Sequence, residues 1–164
     1  MKPFLIGLGT GIVLLLLLIR LGIGSKTGQP ISFNHKKHVA QGMECITCHP
    51  HFKGQTFSGM PQLAICLECH KDPVTQNPEE EKIRQTQKEA KEIHWKRLYQ
   101  QPDHVFFSHR RHVVLGKMEC KNCHGDIGQS ERPPSKPWVK MTMSWCMDCH
   151  AKKKVTNDCL VCHV

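Results

Sequence analysis

The chain has 164 residues and one long uninterrupted apolar segment, which leaves room for a single modest domain beyond that segment. A net charge of +9 would suit nucleic acid or anionic lipid, and ten cysteines would suit a disulfide or zinc scaffold. The spacing excludes the scaffold: every cysteine falls in a C-x-x-C pair followed directly by histidine, none is left over, and neither zinc knuckles nor disulfides require that histidine.

Residues 4–19 are apolar or small throughout, and Leu21, Gly22 and Ile23 continue the run past Arg20, which can snorkel to an interface. Twenty helical residues reach about 30 Å, one bilayer core, and no A-x-A cleavage site follows. Residues 1–24 are therefore expected to form an uncleaved transmembrane signal anchor. Gly7 and Gly11 share one face of it, a pattern that lets a second helix approach closely.

A short Gly/Ser/Lys linker leads into a first repeat, expected over residues 25–76. Phe33-Asn34-His35-Lys36-Lys37-His38 is followed by Met43-Glu44 and then Cys45-Ile46-Thr47-Cys48-His49. C-x-x-C-H is the attachment signature of a c-type haem: two cysteines form thioethers to the porphyrin and the histidine binds the iron. Gly59-Met60-Pro61 turns the chain into a second such site, Cys66-Leu67-Glu68-Cys69-His70. His51 reads as a propionate partner or surface residue rather than a ligand.

Residues 77–103 are expected to be a linker helix. Asn77 caps it, Pro78 opens it, Glu79, Glu80 and Glu81 fill its first turn, and it should run to about Gln100 with Lys96 and Arg97 at its basic end. Ile83, Ala90 and His94 would form a narrow inward stripe.

The second repeat, residues 104–164, restates the first with one extra residue: Phe107-Ser108-His109-Arg110-Arg111-His112, then Met118-Glu119, then Cys120-Lys121-Asn122-Cys123-His124. Two more sites follow, Cys146-Met147-Asp148-Cys149-His150 and Cys159-Leu160-Val161-Cys162-His163. Five haems are thus expected, with His49, His70, His124, His150 and His163 as proximal ligands. Only 6% of the residues are aromatic, so the macrocycles must serve as the core. The expected fold is mostly loops and short α-helices around covalently bound haems, with the one N-terminal transmembrane helix. Haem propionates absorb much of the positive charge, so no nucleic acid partner is expected; Lys152-Lys153-Lys154 reads as a docking patch or a solvated basic turn.

Each iron needs a second axial ligand. The first histidine of each F-x-H-x-x-H lead should serve the haem that follows directly and the second the next: His35 with His49, His38 with His70, His109 with His124, His112 with His150. His163 is left over, with His104, Met141, Met143, His94 and His51 as candidates. No nucleotide-binding loop or hydrolytic constellation is present, so the chemistry expected is electron transfer rather than catalysis by this chain alone. Multiple thioether attachment happens outside the cytoplasm, which puts the haem domain on the periplasmic side of a bacterial inner membrane.

From Phe107 onward the lead and its closely spaced haem sites resemble class III multihaem cytochromes c. Over nearly the whole chain the anchor, the first lead, Gly59-Met60-Pro61, Trp95-Lys96-Arg97, Pro102-Asp103-His104-Val105, the second lead and Met143-Ser144-Trp145-Cys146 resemble the pentahaem subunit of alternative complex III, whose relatives serve periplasmic quinone reductase complexes. The resemblance implies integral quinone-binding subunits and an iron-sulfur subunit as partners, a soluble electron carrier, and His104 as the remaining ligand. The competing readings are a free-standing anchored quinol dehydrogenase and a multihaem reductase with one open haem.

Overall fold

The computed structural model describes residues 28–163. The predicted anchor, with Gly7 and Gly11, lies outside them; among the described residues no helix is long and apolar enough to cross a membrane. What they contain is short. Helix α1 is His35–Ala40, α2 Cys45–Cys48, α3 Leu63–His70, α4 Pro78–Lys88, α5 Lys121–His124, α6 Met143–Lys153 and α7 Cys159–Cys162. Single 3-10 turns follow the first and third haem signatures, at Pro50–Lys53 and Ile127–Gln129, and Arg110–Leu115 is a π-helical turn. The described residues hold no strand, only an isolated antiparallel bridge between Val105 and His163.

The polypeptide core is thin, as the aromatic content predicts. Ile31, Leu63 and Ile83 are the buried hydrophobic residues among those described, joined by the half-buried Cys66, Leu67, Ile93 and Trp95 where α3 packs on α4. Trp95 is held there by its indole N–H, which donates to the Pro61 carbonyl at 2.9 Å.

Helix α4 starts as the sequence predicts: the Asn77 side chain accepts from the Glu79 N–H, Pro78 takes the first position and three glutamates fill the first turn. It stops at Lys88, well short of the expected Gln100. The Lys91 N–H closes back on the Thr86 carbonyl and the Ala90 N–H on Gln87, with Ala90 left-handed at φ 51°, a C-terminal motif that glycine usually fills. Because alanine is a strong helix former, nothing at that position marks the stop. The expected stripe of Ile83, Ala90 and His94 therefore does not form; His94 is exposed on the extended segment beyond the helix.

The two repeats pack by exchange. Helix α1 of the first lies against Ile127–Gln129, which follows the second repeat's haem signature, and the Lys36 N–H donates to the Ser130 carbonyl. Conversely the π-helical turn of the second lies against Pro50–Lys53, which follows the first signature, and the His109 N–H donates to the Thr56 carbonyl at 2.8 Å. Each repeat's histidines are thus buttressed by the other.

Candidate haem-binding site

Each C-x-x-C-H run folds as one helical turn or ends a longer helix. In α2, α5 and α7 the histidine N–H bonds back to the carbonyl of the first cysteine, at 2.9, 3.0 and 2.9 Å. Cysteines three apart on a helix share a face, so both thiols point the same way while the histidine closes the turn. The second and fourth signatures have the same register inside α3 and α6. None of the ten cysteines, each among the described residues, is joined in a disulfide.

The lead segments share one arrangement of side chains. In the first, the Phe33 ring lies roughly parallel to His38 at 4.2 Å and edge-on to His35 at 4.8 Å. In the second, Phe107 does the same to His112 at 4.7 Å and to His109 at 5.0 Å. The residue between phenylalanine and histidine works twice. The Asn34 side chain caps α1 through the Lys37 N–H while its carbonyl accepts from His38 Nδ1 at 2.8 Å; Ser108 accepts the Arg111 N–H on its hydroxyl and His112 Nδ1 on its carbonyl, also at 2.8 Å.

These leads bring the predicted histidines together. Ring centroids lie 6.1 Å apart for His38 and His70, 6.5 Å for His109 and His124, 6.1 Å for His112 and His150, and 5.6 Å for His104 and His163. His35 lies near His49: burial first, then the charges of His49 and His38, hold its pKa down to about 4, so it is a neutral imidazole at ordinary pH. Burial likewise lowers His109 and His124. Two metal–nitrogen bonds of about 2 Å, plus about 1 Å from each ring nitrogen to its centroid, put two imidazoles roughly 6 Å apart across one metal. The observed spacings fit that arrangement, as does the neutral state of His35, His109 and His124.

The ring nitrogens are also sorted. His49 Nδ1 meets the Gly59 carbonyl at 2.8 Å, His150 Nδ1 the Thr156 carbonyl at 2.8 Å, and His109 Nδ1 the Thr56 carbonyl at 3.1 Å. A carbonyl can only accept, so each Nδ1 carries the proton and Nε2 keeps its lone pair for a metal. Gly59 does this from φ +80°, and a Cβ there would stand 2.5 Å from the His51 ring. His51 is thus a packing residue of this turn. Thr156 is brought to His150 by the end of α6, where Lys154 is left-handed and the Val155 N–H bonds to the His150 carbonyl. Lys152, Lys153 and Lys154 are exposed at that C-terminus, where positive charge complements the helix dipole.

The last pair is set by the bridge. The Phe106 N–H donates to the Cys162 carbonyl at 2.8 Å and Val105 pairs with His163, which seats His104 beside His163. The other candidates lie elsewhere: Met143 is exposed in the first turn of α6, and Met141 lines a cavity of about 220 Å³ with Leu98, Tyr99 and Pro137.

Comparison with known proteins decides the class. Residues 105–164 match the family described as cytochrome c7 and related cytochrome c. The chain is also 36% identical, over an alignment of 186 positions covering 98% of it and 89% of the relative, to the multihaem cytochrome c subunit of menaquinone reductase from Nitratidesulfovibrio vulgaris strain Hildenborough. The chain is a multihaem cytochrome c. Covalently bound c-type haems go with that family.

The paired leads also show which C-x-x-C-H sites adjoin: His35 and His38 reach His49 and His70, His109 and His112 reach His124 and His150, and the exchanged packing sets the first lead against the turn that follows residues 120–124. Sequence reasoning missed that exchange. It also missed the carbonyls of Gly59, Thr56 and Thr156, since backbone acceptors leave no mark in residue identity.

Proposed function

We propose that this cytochrome carries five covalent haems and conducts electrons between a quinone-linked membrane complex and a periplasmic carrier. The observation that supports it best is the pairing of C-x-x-C-H histidines with second imidazoles at metal-bridging distance, His38 with His70, His109 with His124, His112 with His150 and His104 with His163, together with the neutral His35 near His49. A bis-histidine set leaves no position for substrate, which favours conduction over catalysis. Haem so ligated supplies one-electron exchange; the chain supplies the ligands, their orientation and the close succession of sites.

The relative's role as a subunit of menaquinone reductase supports a quinone-linked partner. We extend this to an assembly of the alternative complex III type, with integral quinone-binding subunits, an iron-sulfur subunit and a soluble carrier. Residues 1–24 anchor the chain once in the bacterial inner membrane, with the haem domain in the periplasm.

Gentle detergent extraction from native membranes, purification through this chain and mass spectrometry test the assembly, and haem quantification tests the count. Recovery with multi-span subunits, and quinol activity only in their company, is the expected result. Recovery alone with full quinol activity would replace it by the free-standing dehydrogenase. A high-spin signal responding to nitrite would replace it by a reductase.

A further inference from the structure

The five proximal histidines do not share one environment. His49 and His150 each direct Nδ1 at a neutral backbone carbonyl. His70 instead has its Nδ1 3.4 Å from a carboxylate oxygen of Glu80, and that nitrogen is buried with no other hydrogen-bond partner. Glu80 reaches it from α4, where it is one of two buried polar residues among those described.

The carboxylate is fixed and ionised. It accepts from the Thr75 hydroxyl at 2.5 Å, the Val74 N–H at 2.7 Å, the Thr75 N–H at 2.8 Å and Arg84 Nη1 at 2.8 Å. Four donors, one of them a guanidinium, favour the charged form of this carboxyl. They also account for a structural role, since Glu80 organises the turn at residues 74–75. They do not account for Oε1 also standing beside a ligand histidine.

We propose that Glu80 is a potential-setting residue for the haem at Cys66 and Cys69. A fixed negative charge next to the distant ring nitrogen makes the imidazole a stronger donor through its other nitrogen, which stabilises the oxidised iron and lowers that haem's potential. Burial leaves the interaction little screened, so it operates at 3.4 Å even where the hydrogen bond is long. This inference rests on the five-haem reading.

The test is a potentiometric titration of the full-length holo-cytochrome, followed by visible absorbance and low-temperature EPR, for wild type, Glu80→Gln and Thr75→Val. Glu80→Gln keeps the shape and an acceptor but removes the charge, and should raise one titration component while the rest stay in place. Thr75→Val removes a donor that draws charge away from His70, and should lower that same component. Opposite displacements of a single component are not produced by loosened packing. Five haems with every component unmoved in both variants, or all components moving together, would overturn the proposal. Should Glu80→Gln fail to load, Thr75→Val alone decides by the same criterion. A wild-type chain with no haem on Cys66 and Cys69 would instead refute the reading beneath it, and intact mass with peptide mapping shows this separately.

Discussion

The two lead segments solve one problem with different helices. Both present phenylalanine against a pair of imidazoles, cap the turn with the next residue, and fix the second histidine's Nδ1 on a carbonyl four residues back. Yet the first is α-helical and the second π-helical, because the second has one more residue between histidine and cysteine. The wider turn, closed by the Gly116 N–H on the Arg111 carbonyl, absorbs that residue. The chain leaves both leads through a left-handed residue immediately before Met-Glu-Cys: Gly42 at φ 80° in the first, Lys117 at φ 50° in the second. What duplication has kept is the placement of histidines and cysteines, and the helix type gives way to preserve it.

The exchanged packing makes the sites unequal in consequence. The turn that follows the 120/123 site buttresses the first lead, whereas the 159/162 site is tied to the rest through the Val105–His163 bridge. Replacing Cys120 and Cys123 together by serine should cost more than one haem and leave the chain open to protease. The same change at Cys159 and Cys162 should cost one haem and leave the others. Haem quantification with intact mass distinguishes the two; equal losses of one haem would show the repeats to be independent.

A second comparison is at the phenylalanines. Phe33→Ala and Phe107→Ala remove equivalent rings from equivalent histidine pairs. Each should destabilise the holo-protein by roughly 2 kcal/mol, the value of a half-buried aromatic. Thermal unfolding followed at the haem absorbance reads this, and a several-fold disparity would show that the two leads are similar only in outline.

The same repeats show what the sequence makes legible. Haem signatures and paired histidines are visible because thioether attachment and axial ligation require particular residue types at fixed spacing. The exchanged packing is not, since it rests on backbone bonds such as Lys36 to Ser130 and His109 to Thr56, which any residue can make. Nor is the end of α4 at Ala90 or the turn at Lys117, where residues other than glycine occupy left-handed positions. Glu80 is readable as a first-turn acid, but only the fold of residues 70–80 brings it to His70.

Deleting Leu115 tests whether the π-helical turn exists only to absorb an insertion. The shortened segment reads His112-Val113-Val114-Gly116-Lys117-Met118, which matches the first repeat's His38-Val39-Ala40-Gln41-Gly42-Met43 position for position. Full haem content and unchanged low-spin EPR signals are expected, with the unfolding midpoint little altered. Loss of the haem at Cys120 and Cys123 would mean that the wide turn itself places His109 and His112.

The smallest effects lie at the left-handed residues, and they should have opposite signs. A Cβ at Gly42 meets nothing within 4 Å, so Gly42→Ala isolates the backbone term and should destabilise by about 1 kcal/mol. Lys117 already bears that strain, so Lys117→Gly should relieve it, partly offset by the greater freedom of glycine in the unfolded chain, for a net gain of about 0.5 kcal/mol. The haem spectra of both variants should match the parent, because neither side chain touches an imidazole pair. Matched unfolding curves measure the two shifts. If Lys117→Gly proves destabilising, the lysine side chain is held by the fold, and the position before Met118 is more than a turn inherited from a glycine.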